Sequence, residues 1–452
     1  MLTFFATLIA LMLAAAFLPA FNQLTGKQLT LPFGNPVFWF ALAGLLLMVG
    51  FVAGSYPALY LSSLNPIRVL KGRLKFTWRS IFFRKGLVVF QFTLSVLLIV
   101  GMIVIYRQLN YIQKKNIGYD RENLIYIPLE GDLAKNYELF KEEIAQTPDI
   151  LSATKIRQSP TSMGNHTGDI SWTGKDPNVL VSFVNTVVGY DLVKTMNLTL
   201  MSGRDFSRDF RTDSVSFLVN ETALERIGYK DPIGKPLWWG KREGKIIGII
   251  RDFHFTSLHD KIEPLIVRLD EQRPWGTVLV RTKAGKTKEA LTHLETICKT
   301  LNPKFPFSYQ FSDLEFARLY HSEQIVGQLA RYFAFLAIFI SCLGLFGLAT
   351  FTAEQRTKEI GVRKVLGARV MNIASMLSKD LLKPVLIAVV IATPLAYFFM
   401  RHWLQDFAYR TDMSWWIFLL AGLAAVMISL ITVGYQAIRA AIAAPASSLR
   451  AE

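Results

Sequence analysis

The side chains best able to do chemistry in this sequence are the charged ones of segment 354–370, which lies between two long apolar runs. The segment reads EQRTKEIGVRKVLGARV and mixes arginine, lysine and glutamate with apolar residues. Ionised side chains are excluded from hydrocarbon, so the segment must form a loop at a membrane face. Its excess of arginine and lysine indicates the cytoplasmic face. Such a loop either docks another protein or is simply solvated.

Built as a helix, the segment has two unlike sides. One side is apolar, with the i, i+3, i+4 spacing of a helix face: Val362, Val365 and Leu366. Another side carries the basic residues Arg356, Arg363 and Lys364. Gly367 predicts the end of the helix, because glycine is common just past a helix C-terminus. A short, two-faced, basic helix between membrane spans is suited to binding a cytoplasmic protein.

A second pattern with possible chemistry is Ala284-Gly-Lys-Thr, which follows a predicted strand and precedes a predicted helix. A phosphate-binding loop has the same setting. However, Val280 stands where that loop requires its first glycine, and no acidic strand end for magnesium follows. The pattern therefore favours a surface turn, and we expect no ATP hydrolysis from this chain.

A third pattern is the pair His254 and His259, which has acidic residues nearby. A metal site is conceivable, but the spacing is not the i, i+4 pair of a helical zinc site. We expect instead a surface turn in which Phe253 and Phe255 are packed. No grouping of serine, histidine and aspartate indicates a hydrolase. The sequence thus predicts no catalytic residue, no cofactor and no metal site.

The composition indicates a protein that is partly in a membrane and partly in water. The chain has 452 residues, of which 52% are hydrophobic and 19% are charged, and its mean hydropathy is +0.31. Six apolar runs are long enough to span a bilayer: 1–20, 37–61, 86–106, 329–351, 381–400 and 415–435. The first run could instead be a secretory signal peptide, but no lysine or arginine precedes Lys27.

The loop charges predict the orientation of the spans. Arginine and lysine are dense in the loops 62–85 and 354–379 and sparse in the loops 21–36 and 401–414. The positive-inside rule then places both chain ends in the cytoplasm and the long segment 108–326 outside. This distribution accounts for much of the net charge of +16. We therefore expect contact with the lipid bilayer and none with nucleic acid.

The long segment 108–326 alternates patterns of strand and helix, which predicts an α/β domain. The expected strands are 123–129, 179–188, 216–220, 245–253, 265–269 and 277–281. The expected helices are 134–146 and 287–301. The stretch 158–178, rich in glycine, proline and serine, predicts a division into two lobes. The fold class is thus a mixed membrane protein with six transmembrane helices and an α/β periplasmic domain.

The sequence of segment 354–370 resembles the signature of the MacB/FtsX family of ABC-transporter permeases. The matching residues are Glu354, Arg356, Glu359, Ile360, Gly361, Arg363, Gly367 and Ala368. Several sequence stretches of segment 108–326 also resemble MacB-like permeases, chiefly those of Bacteroidetes-type genomes. These stretches begin at Ile117, Gly203, Val219 and Ile246. Together with the spans, the resemblance covers nearly the whole chain.

The resemblance implies a permease subunit that couples ATP hydrolysis by a separate cytoplasmic ATPase to movement of its periplasmic domain. Export of a drug, peptide or lipoprotein is the expected role. The alternative is an FtsX-like regulator that activates a periplasmic cell-wall hydrolase. A periplasmic adaptor and a second permease copy or companion half are the other expected partners. The residues expected to contact the ATPase are Glu354, Arg356, Glu359, Ile360, Val362, Arg363, Lys364, Val365 and Leu366.

An internal repeat relates the two ends of the chain. Segment 56–71 aligns with 435–450, each closing a span that runs into the cytoplasm. Relative to the eight-span members of the family, the chain resembles one without its first two spans and first periplasmic domain. The expected domains are 1–85 with two spans and a basic linker, 86–107, 108–326, and the FtsX-like part 327–452 with a coupling loop at 353–380.

Overall fold

The computed structural model describes residues 1–62 and 78–442, which form two compact units. The helical unit contains Met1–Met102, Ile325–Leu395 and the chain from Trp416. The α/β unit contains Ile103–Gln324 and Ala396–Trp415. The second half of each copy of the predicted repeat, and much of the basic linker, lie outside the described residues.

The helices, in chain order, are α1 (Leu2–Thr25), α2 (Pro36–Ser62), α3 (Trp78–Lys114), α4 (Asp132–Lys135), α5 (Tyr137–Ala145), α6 (Leu192–Met196), α7 (Glu221–Ile227), α8 (Thr287–Leu301), α9 (Ser312–Arg318), α10 (His321–Gln355), α11 (Thr357–Val365), α12 (Val370–Gln405) and α13 (Trp416–Ile442). The strands are β1 (Leu124–Leu129), β2 (Ile150–Ile156), β3 (His166–Thr167), β4 (Ile170–Trp172), β5 (Phe183–Val188), β6 (Leu200–Gly203), β7 (Phe217–Asn220), β8 (Pro236–Trp239), β9 (Arg242–Ile250), β10 (Leu265–Leu269), β11 (Gly276–Thr282) and β12 (Gln310–Phe311).

Six helices of the described chain are long and apolar enough to cross a membrane, which confirms the predicted runs. They are α1, α2, α3, α10, α12 and α13. Three of them, α3, α10 and α12, have 37, 35 and 36 residues. At 1.5 Å per residue each is about 50–55 Å long, whereas the hydrocarbon core is about 30 Å thick. These helices therefore continue well beyond the apolar runs that the sequence reveals.

Small polar side chains lie where the helices of the helical unit approach one another. Ser95 Oγ of α3 is 3.1 Å from Ser341 Oγ of α10. Thr93 of α3 lies 3.5 Å from the carbonyl oxygen of Ala388 in α12. Small residues allow close backbone approach in lipid, where the hydrophobic effect gives no drive for association. Along the apolar windows of α1 and α2, by contrast, no residue is buried.

A 12-stranded mixed sheet forms the centre of the α/β unit in the described chain. Its order is β12-β1-β11-β2-β5-β10-β7-β9-β8-β4, with β3 on β5 and β6 on β9. The β5–β10 and β7–β9 pairs are parallel and the others are antiparallel. The two halves meet between β2 and β5 through the single pair Ile156 and Val188. The expected lobes are thus joined into one sheet, each half with its own apolar cluster.

Residues 396–415 belong to the α/β unit, although the predicted domain 108–326 leaves them out. Phe407 is only 2% exposed and is part of the core that contains Leu258 and Tyr320. The buried side chain of Gln108 fixes the following residues. Its amide donates to the carbonyl of Tyr409 at 2.9 Å, and its oxygen accepts from the N–H of Thr411 at 2.9 Å.

We expect Phe407→Ala to destabilise the α/β unit, because it removes a buried ring and leaves a cavity. The cost should be about 3–5 kcal/mol. Thermal unfolding of the purified chain, followed by near-ultraviolet circular dichroism, measures it. Leu180→Ala is the control, since that side chain is 88% exposed and should change little. Equal unfolding temperatures for the two variants would contradict the placement of residues 396–415 in this core.

Candidate functional site

The charged segment is built around a break between α10 and α11 at Arg356, whose φ and ψ are −98° and 10°. The Arg356 side chain reaches α12, where its Nη2 lies 2.9 Å from Asp380 Oδ2. Asp380 also pairs with Lys383 at 3.2 Å. About a third of the Arg356 and Asp380 side chains is exposed, so their pairing adds at most about 1 kcal/mol. Its main effect is to fix the direction in which the chain leaves α10.

One side of α11 packs against other helices of the helical unit. Ile360 is only 6% exposed and lies in an apolar cluster with Ile373, Leu377 and Ala437. The neighbouring Gly361 is also buried. Ile360 was expected to contact a partner, but its side chain is used to seat α11. Any role of this residue in binding is therefore indirect.

The opposite side of α11, which we call the outward face, consists of Glu359, Val362, Arg363 and Leu366. All four side chains are exposed, Val362 by 52% and Leu366 by 80%. Arg363 Nη2 lies 2.7 Å from Glu359 Oε1, one helical turn away. The expected separation of apolar and basic sides is therefore wrong for Arg363. It shares a face with Val362 and Leu366, because residues three or four apart are neighbours on a helix.

Gly367 ends α11, as predicted. Its φ is +88°, a left-handed conformation that side chains with a Cβ adopt at a cost. The Gly367 N–H donates to the carbonyl of Lys364 at 3.1 Å, and the Ala368 N–H donates to that of Arg363 at 2.9 Å. These two bonds form a Schellman motif, which satisfies carbonyls left open at the helix end. After this turn α12 begins at Val370.

The remaining expected residues lie around the same loop. Glu354 is exposed near the end of α10, and Lys364 is half-buried on α11. The side chain of Val365 lies outside the described part of the chain. Two exposed apolar residues, Val370 and Met371, are exposed by 38% and 71% at the start of α12. Val370 and Met371 are not among the expected contact residues because they follow the signature, although their apolar character so close to it could have indicated them.

Comparison with known proteins identifies the region around α11. Residues 331–445 match the family described as FtsX-like permease C-terminal. Macrolide export ATP-binding/permease protein MacB of Aggregatibacter actinomycetemcomitans is 25% identical over 219 residues, which are 45% of this chain and 33% of that protein. The protein of the same name from Bartonella quintana is 24% identical over 223 residues, 47% of this chain and 33% of that protein. The chain carries an FtsX-like permease domain and is similar to MacB-type permeases.

This permease spans about a third of the length of the relatives it matches. Two solved structures are also similar to it. The periplasmic region of MacB from Actinobacillus actinomycetemcomitans is 17% identical, covers 46% of this chain and 97% of that one, and has a TM-score of 0.33. The extracellular domain of the ABC-type transporter YknZ from Gram-positive bacteria is 15% identical, covers 41% and 96%, and has a TM-score of 0.30.

His254 and His259 of the permease make structural contacts with residues 396–415. His254 is buried and packs edge-on against the ring of Tyr409 at 4.5 Å. His259 stacks on Phe407 at 4.0 Å, and its Nδ1 lies 2.9 Å from the carbonyl oxygen of Asp406. Among the described residues no group of three or more His, Cys, Asp or Glu side chains could hold a metal ion. Phe253 and Phe255 are packed, as expected, but the expected surface turn is wrong at these residues, because His254 between them is buried too.

The Ala284-Gly-Lys-Thr pattern forms a turn before α8. Gly285 has a φ of +74°, and no neighbouring atom lies within 4 Å of the position its Cβ would take. Lys286 pairs with Glu289 at 3.1 Å on the surface. The lysine is thus engaged with its own helix, which accords with the predicted surface turn.

We expect the α/β unit of the permease to lose stability as the pH falls from 6.5 towards 4. Burial and the nearby Lys115 lower the pKa of His254 to about 4, against 6.5 ordinarily. The unfolded chain therefore binds the additional proton in this window and is favoured by it, by about 2 kcal/mol at pH 5. Unfolding temperatures at pH 7 and pH 5 measure the loss.

His254→Asn should reduce this loss on acidification, since the variant lacks the group that must be protonated. His293→Asn is the matched control, because that histidine is exposed on α8. If both variants and the unaltered chain lose equal stability between pH 7 and pH 5, His254 is not the group responsible.

Proposed function

We propose that this permease is the membrane subunit of an ABC transporter and that a separate ATPase binds the outward face of α11. The observation that carries the proposal is the contrast between the two sides of that helix. Ile360 packs within the protein, whereas Val362 and Leu366 on the other side are exposed with a charged pair beside them. Apolar anchors surrounded by charged residues are typical of protein interfaces.

The fixed side of α11 makes it suitable for transmitting force. The Arg356–Asp380 pair, the Ile360 packing and the Schellman turn hold the helix at its start, middle and end. A single residue separates α11 from α10, and a short turn separates it from α12. Little flexible chain is therefore available to absorb a push on the outward face. In the proposed mechanism, closure of an ATPase dimer shifts α10 and α12 between two arrangements.

The loop charges support an orientation in which α11 and both chain ends are cytoplasmic and the α/β unit is periplasmic. We retain the expected domains and add residues 396–415 to the periplasmic one. Because an ATPase dimer offers two equivalent sites, a second copy or a companion permease half is part of the proposal. The exposed apolar windows of α1 and α2 fit lipid or such a companion.

The proposed cargo is a drug, peptide or lipoprotein exported from the periplasm, with a periplasmic adaptor as a further partner. Two relatives are named as macrolide export proteins, which supports export as the general role. The alternative, activation of a periplasmic cell-wall hydrolase, would use the same outward face of α11. The two functions differ in the partner of the α/β unit and share the first test below.

Leu366 should be directly accessible to the ATPase. In a variant with Cys298 and Cys342 replaced by serine, Leu366→Cys should cross-link in native membranes, through a short bis-maleimide, to a chain that mass spectrometry identifies as an ABC ATPase. The yield of the cross-linked product should change when the ATPase is trapped with ATP bound. The control is Leu180→Cys, which is 88% exposed in the α/β unit and should give no such product.

Leu366→Asp should weaken ATPase association about thirtyfold, since losing one interface anchor costs about 2 kcal/mol. Quantitative co-purification measures this. Membrane insertion should be unchanged, because the side chain is 80% exposed. Unaltered co-purification, together with no cross-link at Leu366, would remove α11 from the coupling role.

Cysteine labelling tests the orientation independently. In the cysteine-free background, single cysteines at Lys27, Lys230 and Gln405 should react with a membrane-impermeant maleimide added to intact spheroplasts. Cysteines at Lys75 and Thr357 should react only after the membrane is opened. Labelling of the cysteine at position 357 from outside would show that the proposed orientation is wrong.

A further inference from the structure

The α/β unit carries a group of arginines that the coupling role does not use. We define the arginine cluster as Arg157, Arg268 and Arg273 with the rings of Trp239 and Trp275. Arg268 Cζ lies 3.9 Å from the centre of the Trp239 ring, and Arg273 Cζ lies 3.9 Å from that of Trp275. Arg157 faces Trp275 as well, at 5.6 Å.

Backbone pairing of the sheet brings these residues together from distant parts of the chain. Arg268 of β10 is the Cα partner of Val187 in β5. The N–H of Arg157, which follows β2, donates to the carbonyl of the same Val187 at 2.9 Å. Trp239 of β8 stacks on Phe217 of β7, which is also paired with Arg268. Strand pairing therefore fixes the backbone of Arg157, Arg268 and Trp239, whereas Arg273 and Trp275 lie in the connection between β10 and β11.

The positive charge of the cluster is not neutralised within the described chain. None of the three guanidinium groups lies within 4.0 Å of a carboxylate among the described residues. Arg268 Nε and Arg273 Nη1 are buried, and neither has a hydrogen-bond acceptor among the residues that the structure describes. Arg157 faces the neutral side-chain amide of Asn165, whose oxygen accepts from the guanidinium group when the amide is turned over. Charged N–H groups that are buried without an acceptor are costly, and an anion would remove that cost.

Mutual repulsion adds to this cost. Burial and then the nearby Arg242 lower the pKa of Arg268, and Arg273 and Arg157 act in the same direction. Burial and Arg157 lower the pKa of Arg273. Asp270 opposes these effects, but its carboxylate is not within 4.0 Å of any of the three guanidinium groups. A bound anion would therefore face several cations that now repel one another.

The geometry indicates what kind of anion would fit. A guanidinium group stacked on an indole ring still presents its N–H edge, which matches the two oxygens of a carboxylate. Trp275 is 47% exposed beside these edges, so a ligand can also gain apolar contact. Tryptophan and arginine are the residues most enriched among the strong contacts of protein interfaces.

We propose that the arginine cluster binds a carboxylate-rich segment of a partner protein. The charge is complementary, the guanidinium groups are held in place by the two tryptophans, and Trp275 forms the accessible edge. This site is independent of the outward face of α11. It would serve the α/β unit whether the permease exports a cargo or regulates an enzyme.

The test uses the purified full chain in detergent micelles and a fluorescein-labelled peptide of eight glutamates. Fluorescence anisotropy at low salt should show binding, and R157Q/R273Q should weaken it at least tenfold. The matched control is R211Q/R226Q, which removes the same charge at two exposed arginines outside the cluster. It should change the affinity less than twofold. Trp275→Ala, a surface change that keeps every charge, should also weaken binding severalfold.

Three outcomes would overturn the proposal. Equal losses in the two double variants would show that the peptide senses only the general positive field. Full displacement of the peptide by millimolar inorganic phosphate would indicate a site for small oxyanions instead. Unchanged binding in both R157Q/R273Q and Trp275→Ala would exclude the cluster. Circular dichroism and unfolding temperature of each variant ensure that a loss of binding is not a loss of folding.

Discussion

In hydrocarbon every backbone N–H and carbonyl group must be bonded within the protein, and no charge can remain unpaired there. This constraint determines where the charged segment of the permease lies. The spans are uninterrupted helices, and the charged segment 354–370 can exist only where two of them leave the bilayer. Solvation of its charged side chains therefore keeps α11 out of the hydrocarbon and next to the membrane. Ile360 and the Arg356–Asp380 pair then fix how it lies there.

The same constraint explains which features were predictable. Local rules predict the six spans and the end of α11. The spans are long apolar runs, and the helix ends at Gly367, a glycine with positive φ. The strands at 265–269 and 277–281 were also predicted, because each contains a short run of aliphatic and β-branched residues, 265–267 and 278–280. In contrast, short strands such as β3, β4 and β12 have too few residues to show a period. Their place is set by partners far away in the sequence.

The sequence predicts where the candidate site lies, but not which of its side chains are exposed. The residue pattern identified the loop, and the helical spacing gave a reasonable apolar side. It could not reveal that Ile360, rather than Val362 or Leu366, packs inward, because that depends on Ile373, Leu377 and Ala437. Likewise, no local pattern connects His254 and His259 with residues 396–415. Aromatic stacking across about 150 residues of chain has no sequence signal in the absence of related sequences.

The inclusion of residues 396–415 in the α/β unit has a consequence for synthesis of the chain. The unit is discontinuous, since Ile325–Leu395 belong to the helical unit. At 5–20 residues per second, roughly 4–14 s pass between translation of the two parts. During that time the pocket that will receive Phe407 has no occupant, and the apolar side chains around it are open to water. The core of the α/β unit can therefore be completed only after the chain up to residue 415 has been made.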